Sequence, residues 1–280
     1  LGLGDFNARR GAKNFTEADL APAVEYCHVR GVKVYLTMNT LLTDRELPAA
    51  ADLARRASTL GVDAVLVQDL GVLRAVRQAA PELSIHGSTQ MTVHSLDGVR
   101  ACADLGMTRA VLSRELPESE IEYICTHSPI EIEVFGHGAL CMCYSGQCFF
   151  SAVVGERSGN RGLCAQPCRM KYGWGGRPDG YPLSLKDACL AQQIHRLRKM
   201  GVACLKLEGR MKRPEYVAVI TRIYSTLIRE DRLPTAEELS ALEEAFSRQG
   251  FTQGYFEDKT GPHMFGVREE KTPEPKELYA

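Results

Sequence analysis

The chain has 280 residues, 44% hydrophobic and 25% charged, enough to bury a full-sized core and too apolar for disorder to be its main state. Its 34 basic and 35 acidic residues give a formal net charge of -1, which excludes a histone-like positive coat and requires any nucleic-acid partner to meet a focused basic site. No apolar run approaches the ~18 to 20 residues that span a bilayer, and the opening LGLGDFNARRG lacks the basic-then-apolar order of a signal peptide, so a cytoplasmic protein with no membrane partner is expected.

LGLGDF reads as the tail of a strand cut short, in a chain that starts without methionine and is read as a fragment of a longer protein. An amphipathic stretch over 16–30 carries Leu20, Val24 and Cys27 on one face and ends at Gly31, where the apolar run VKVYLTMNT begins. The same hand-over recurs at Gly61 (GVDAVLVQD), Gly106 (GMTRAVLSRE) and Gly201 (GVACLKLEG). Glycine suits the left-handed position just past a helix, and the β-branched run after it suits a buried parallel strand. Further strands are expected at 83–90, 130–140 and 181–187, and further helices at 45–60, 71–80, 95–105, 117–127, 188–200, 214–229 and 236–248.

Eight strands alternating with helices are the arithmetic of a (β/α)8 TIM-like barrel with a truncated first strand; an open α/β sheet is the runner-up. The division expected is a barrel domain over 1–232, a C-terminal helix and connector over 233–266 and a disordered tail over 267–280. The rhythm breaks at a cysteine- and glycine-rich insertion over 141–180, after the sixth strand, and a loop of that length inside a compact domain is usually functional. Barrel active sites form where strands end, and here those ends are polar: Asn39, Gln68, Asp69, His86, Ser88, Gln90, Arg114, Glu115, His137, Lys186, Asp187, Glu208 and Arg210. For each one, a loop-bracing role stands beside a chemical one.

Of ten cysteines, Cys27, Cys102, Cys125, Cys189 and Cys204 are scattered among apolar residues, whereas Cys141, Cys143, Cys148, Cys164 and Cys168 fall within 28 positions. Structural disulfides are not expected in a reducing compartment. Six residues separate Cys141 from Cys148, fifteen Cys148 from Cys164 and three Cys164 from Cys168, so only the last pair has zinc-finger spacing. Four thiolates on a glycine-rich loop suit a 4Fe-4S cluster; zinc and redox-active thiols remain open on spacing alone. Cys143, two positions from Cys141, is the spare.

The segments EVFGHGALCMCYSGQCFFS, RSGNRGLCAQPCR and LKLEGRMKRPEYVA resemble the collagenase-like peptidase family, the thirty-second of unknown catalytic type. FNARRGAKNFT, VYLTMNTLL, VLVQDLGVLR, HGSTQMTVHS and SLKDACL extend the resemblance over residues 1 to about 260. It implies a 4Fe-4S cluster on Cys141, Cys148, Cys164 and Cys168. It also implies an enzyme that hydroxylates the 5-position of a pyrimidine, a cytidine of large-subunit ribosomal RNA or the wobble uridine of tRNA, with prephenate as hydroxyl source and an electron donor as partner. The RNG-CAQPCR form is most similar to the RNA-modifying branch; a peptidase is the alternative, though HEXXH and GXSXG are absent.

Glu208 is expected as an acid/base or substrate contact, sharing a face with Lys206, and His86 and His137 as proton-transfer groups. Arg9, Arg161, Lys186 and Arg210 are expected to bind substrate, with Arg10, Lys13, Arg157, Arg169, Lys171, Lys212 and Arg213 as further basic groups. Tyr144, Tyr172 and Trp174 could stack a base, while Phe149 and Phe150 are read rather as a cover over the cluster.

Overall fold

A computed structural model describes residues 1–9, 11–12, 14–173, 175, 180–209 and 211–267. The expectations placed on Arg10, Lys13, Trp174, Arg210 and the tail from 268 lie outside the described residues. In chain order the elements are α1 (Glu17–His28), β1 (Tyr35–Met38), α2 (Leu47–Thr59), β2 (Ala64–Val67), α3 (Leu70–Ala79), β3 (Ser84–Gly87), α4 (Leu96–Asp104), β4 (Arg109–Val111) and α5 (Glu118–His127). There follow β5 (Glu131–Ala139), α6 (Phe150–Gly155), β6 (Asp187–Cys189), α7 (Ile194–Lys199), β7 (Cys204–Leu207), α8 (Pro214–Glu230), α9 (Ala236–Ala245) and β8 (Phe251–Thr252). This is an α/β fold with mostly parallel strands, divided into two compact units: residues 1–113 with 145–165, and residues 114–144 with 166–280. Among the described residues no helix is long and apolar enough to cross a membrane.

In unit one, β1 to β4 pair in parallel and in sequence order. All four residues of β2 are buried, as a strand covered on both faces requires. The expected glycines do end the helices: Gly31 and Gly61 have φ of 68° and 79°, a backbone that other residues adopt only with strain. Thr16 starts α1 with a capping box, and the Asp69 carboxylate accepts the backbone N–H groups of Gly71 and Val72 at the start of α3.

In unit two, β5 pairs antiparallel with β6 and parallel with β7, and β6 pairs parallel with β8. The apolar face of α8, with Val219, Ile220, Ile223, Tyr224 and Leu227, packs with Leu242 of α9 into one buried cluster.

Three expectations are corrected. LGLGDF forms only isolated bridges, Gly2 with Thr37 and Leu3 with Phe15, so the strand before the cysteine-rich segment is the fifth. The strand expected at 181–187 begins at Asp187, because the preceding backbone is committed elsewhere: Lys186 N–H donates to Met264 at 2.8 Å and Gly266 N–H to Ser184 at 2.9 Å. That strand is also antiparallel to β5, since the chain re-enters at the end where β5 leaves the sheet. The cysteine-rich segment is not one loop either: 145–165, containing α6, belongs to unit one and the part from 166 to unit two.

Candidate functional site

Cys148 and Cys164 belong to unit one, where two docked segments hold them at the carboxyl ends of β1 to β3. After β3, the Thr92 hydroxyl donates to the Ser145 carbonyl at 2.7 Å and accepts from the Gln147 amide at 2.8 Å. Between them, a Cβ on Gly146 would lie 2.3 Å from the Gln90 carbonyl, and φ is 82°, so the close approach and the backbone both demand glycine. After β1, Leu41 N–H donates to Asn160 at 3.3 Å, and Arg161 donates to the Leu41 carbonyl and pairs with Glu46 at 2.5 Å. That guanidinium, with Thr43, holds the Glu46 carboxyl down to about 2. The two segments meet at Gly159, where an added Cβ would sit 3.6 Å from Cys164 Cβ and 3.8 Å from the Cys148 carbonyl.

Cys141 and Cys168 belong to unit two and flank one guanidinium. Arg169 donates to the Leu140 carbonyl at 2.6 Å, the Leu185 carbonyl at 2.6 Å and the Ser184 hydroxyl at 3.1 Å. Burial lowers its pKa and Arg248 adds to that, while Cys168, Asp187 and Cys141 favour its charged form. Beneath it Arg248 pairs with Asp187 at 2.5 Å, the two side chains being 11% and 2% exposed.

All ten cysteines are thiols rather than disulfides. A donor set of thiolate sulfurs beside glycine backbone suits an iron-sulfur cluster in its chemistry. Among the described residues no three His, Cys, Asp or Glu side chains stand together as ligands of one ion. Within unit one Gly159 lies against both the Cys148 carbonyl and Cys164, and within unit two Arg169 ties the segment of Cys168 to that of Cys141.

The expected acid/base residues sit in three different settings. Glu208, just past β7, is engaged by Arg114 at 2.7 Å, and that guanidinium stacks 3.6 Å from the Phe135 ring centre. Lys206 pairs instead with Glu133 at 2.8 Å. His86 is buried in β3 with its ring edge-on to Tyr35, at 4.9 Å between centres. His137 is 1% exposed in an aromatic nest of Tyr224, Phe251 and Tyr216. Tyr224 OH donates to the Gly136 carbonyl at 2.8 Å, so its oxygen accepts from His137 Nδ1–H at 3.3 Å and Nε2 is the bare nitrogen.

Burial, with Lys212 adding to it, pulls the His137 imidazole down to about 3 from an ordinary 6.5, so the ring is neutral near neutral pH. The folded state resists the proton that the unfolded ring accepts. Stability from this group is therefore complete above the unfolded value and falls as pH drops towards the folded one, by at most about 1.4 kcal/mol per pH unit. Thermal unfolding between about pH 7 and 4 should show this slope, and His137→Phe should flatten it; an unchanged slope would refute the assignment.

The model for peptidase family U32 matches residues 1–265. The chain belongs to this family. Similar curated proteins include the 23S rRNA 5-hydroxycytidine C2501 synthase of Escherichia coli, 38% identical over 81% of this chain and 35% of that protein. The tRNA hydroxylation protein P1 of Bacillus subtilis is 31% identical over 97% of this chain and 69% of its own length. The Collagenase of Porphyromonas gingivalis is 32% identical over 91% and 67%. The chain thus spans about a third of the first relative and about two thirds of the other two. A solved U32 peptidase, Mk0906, overlaps 74% of this chain and 83% of its own at a TM-score of 0.47 and 16% identity.

Of the substrate-binding residues expected in this U32 chain, Arg161 is engaged by Glu46 and Arg9 donates to the neighbouring Ala8 carbonyl at 3.0 Å. Lys186 is half-buried in unit two, and a Cβ on Gly266 would lie 2.7 Å from its Cγ. Phe149, expected as part of a cover, is 60% exposed. Sequence reasoning missed Arg248, which lies in the polar run SRQG and reads as solvated surface. The strand-end position of Asp187 was the available signal that a buried cation must face it.

Proposed function

We propose that this U32 chain is the iron-sulfur-bearing part of an RNA-modifying enzyme that adds a hydroxyl to the 5-position of a pyrimidine. The target is a cytidine of 23S rRNA or the wobble uridine of a tRNA, with prephenate as hydroxyl source and an external electron donor. The observation that carries this reading is the similarity, over most of the chain, to proteins named for 5-hydroxycytidine synthesis in 23S rRNA and for tRNA hydroxylation. The cofactor is proposed as a 4Fe-4S cluster on Cys141, Cys148, Cys164 and Cys168. When bound it supplies the electron-transfer or Lewis-acid capacity that an unactivated pyrimidine carbon needs.

The chain's own groups have separable tasks. Gly146, Thr92 and Gln147 dock the Cys148 segment, and the Arg161–Glu46 pair docks the Cys164 segment. The exposed ring of Phe149, one residue from Cys148, offers a face on which a base can stack. The deciding experiment is nucleoside mass spectrometry of ribosomal RNA and tRNA from a strain lacking the gene. Loss of one 5-hydroxypyrimidine, restored by the complete gene, is expected; an unchanged nucleoside profile overturns the reading. The Porphyromonas gingivalis relative puts a collagenase-like peptidase second. Gelatin cleavage that survives Cys141→Ser and Cys164→Ser would favour it.

A further inference from the structure

We propose that Arg169 is the positioning residue of the Cys141/Cys168 pair: its guanidinium fixes the spacing of the two thiols and supplies the positive charge that two neighbouring thiolates require. This rests on the cluster reading above. Counted from sequence among the further basic groups of a substrate site, Arg169 is turned instead onto unit two's own backbone. One nitrogen takes the Leu140 carbonyl, at 2.6 Å, next to Cys141. The other takes the Leu185 carbonyl, at 2.6 Å, and the Ser184 hydroxyl, at 3.1 Å, just before β6. Cys168 is the residue preceding Arg169 in the chain, so the fork ties the segment of one cysteine to that of the other.

The receiving groups are themselves fixed. Leu140, Ser184 and Leu185 are buried, and Ser184 OH donates to the Gly266 carbonyl at 2.8 Å. Both thiols lie within electrostatic reach of the guanidinium. A planar fork holds two carbonyls on separate segments at a fixed spacing; lysine keeps the charge and loses the fork. The two halves of the proposal, spacing and charge, can therefore be separated by substitution.

The test compares Arg169→Lys and Arg169→Gln with the unaltered chain and with Arg100→Gln, an exposed α4 arginine paired with Asp97. In metal-free protein, a short bis-maleimide should join Cys141 to Cys168, read as the cross-linked peptide by mass spectrometry. Both Arg169 variants should lose that product several-fold, and Arg100→Gln should keep it. After anaerobic reconstitution, the midpoint potential should shift downward in Arg169→Gln, because losing a nearby cation disfavours the added electron. It should stay near that of the unaltered chain in Arg169→Lys. If Arg169→Gln does not fold, the cross-link in Arg169→Lys decides the spacing. Unchanged cross-linking in both variants overturns the spacing role, and an unchanged potential in Arg169→Gln the charge role. Weaker RNA binding with both readouts unchanged returns Arg169 to substrate contact. An unaltered chain that takes up no iron sinks the cluster reading, while the metal-free cross-link still reports on the pair.

Discussion

On the proposed cluster, anaerobically purified Cys164→Ser protein is expected to retain little iron, and the complete enzyme carrying that change to lose at least ~10-fold of the proposed RNA hydroxylation, the scale on which even outer-shell changes act at metal sites. Cys164 is exposed and stands beside the Gly159 cradle, so serine there removes a sulfur donor with little loss of packing. Cys143→Ser, at the position the spacing leaves over, is expected to keep both iron and activity. Cys102→Ser separates folding from chemistry in the other direction. Cys102 is buried in α4 and burial raises its thiol pKa, so a hydroxyl there lowers stability while leaving iron content per folded chain unchanged. Iron and absorbance near 400 nm, measured on all three, check the set; full iron in Cys164→Ser, or equal iron loss in Cys143→Ser, would remove Cys164 from the donor set.

Arg248→Met is expected to be the most damaging single change to unit two. It leaves Asp187, 2% exposed, as an uncompensated buried carboxylate, and breaking a buried pair in this way costs about 3–5 kcal/mol. At roughly 2–4 °C per kcal/mol for a chain of this size, the midpoint of thermal unfolding should fall by about 6–20 °C. Adding Asp187→Leu should recover much of the loss, because an apolar pair of similar volume needs no compensation. A fall of only a degree or two in the single variant would show that water reaches the carboxylate.

What the sequence made legible follows from which physical signals are local. A glycine at φ 68°, 79° or 80° after an amphipathic helix, followed by an apolar run, belongs to a single stretch of chain, and β1, β2 and β4 stand where that pattern put them. β6 and β8 did not announce themselves so clearly. They have three and two residues, β8 gave no signal at all, and the backbone just before β6 is engaged by Met264 and Gly266, far along the chain. Strand direction is likewise not encoded in strand composition, so the antiparallel β6 was out of reach. The site divides in the same way. The cysteines were readable because their spacing is a one-dimensional property. The partners of Arg161, Arg169 and Glu208 were not, because a cation near a functional loop looks the same in sequence whether it meets a substrate, a carboxylate or a carbonyl.

The lacing of residues 262–266 against 184–186 also bears on biosynthesis. Cys141 and Cys168 are translated roughly a hundred residues before Met264 and Gly266, yet Arg169 anchors to a serine whose hydroxyl is held by Gly266. While the chain emerges from the ribosome, Cys148 and Cys164 can already rest against the completed strands of unit one. The Cys141/Cys168 side acquires its support only after residue 266 has been made. Any factor that delivers iron and sulfide to the proposed cluster would therefore meet a fully supported Cys141/Cys168 side only after translation has passed residue 266.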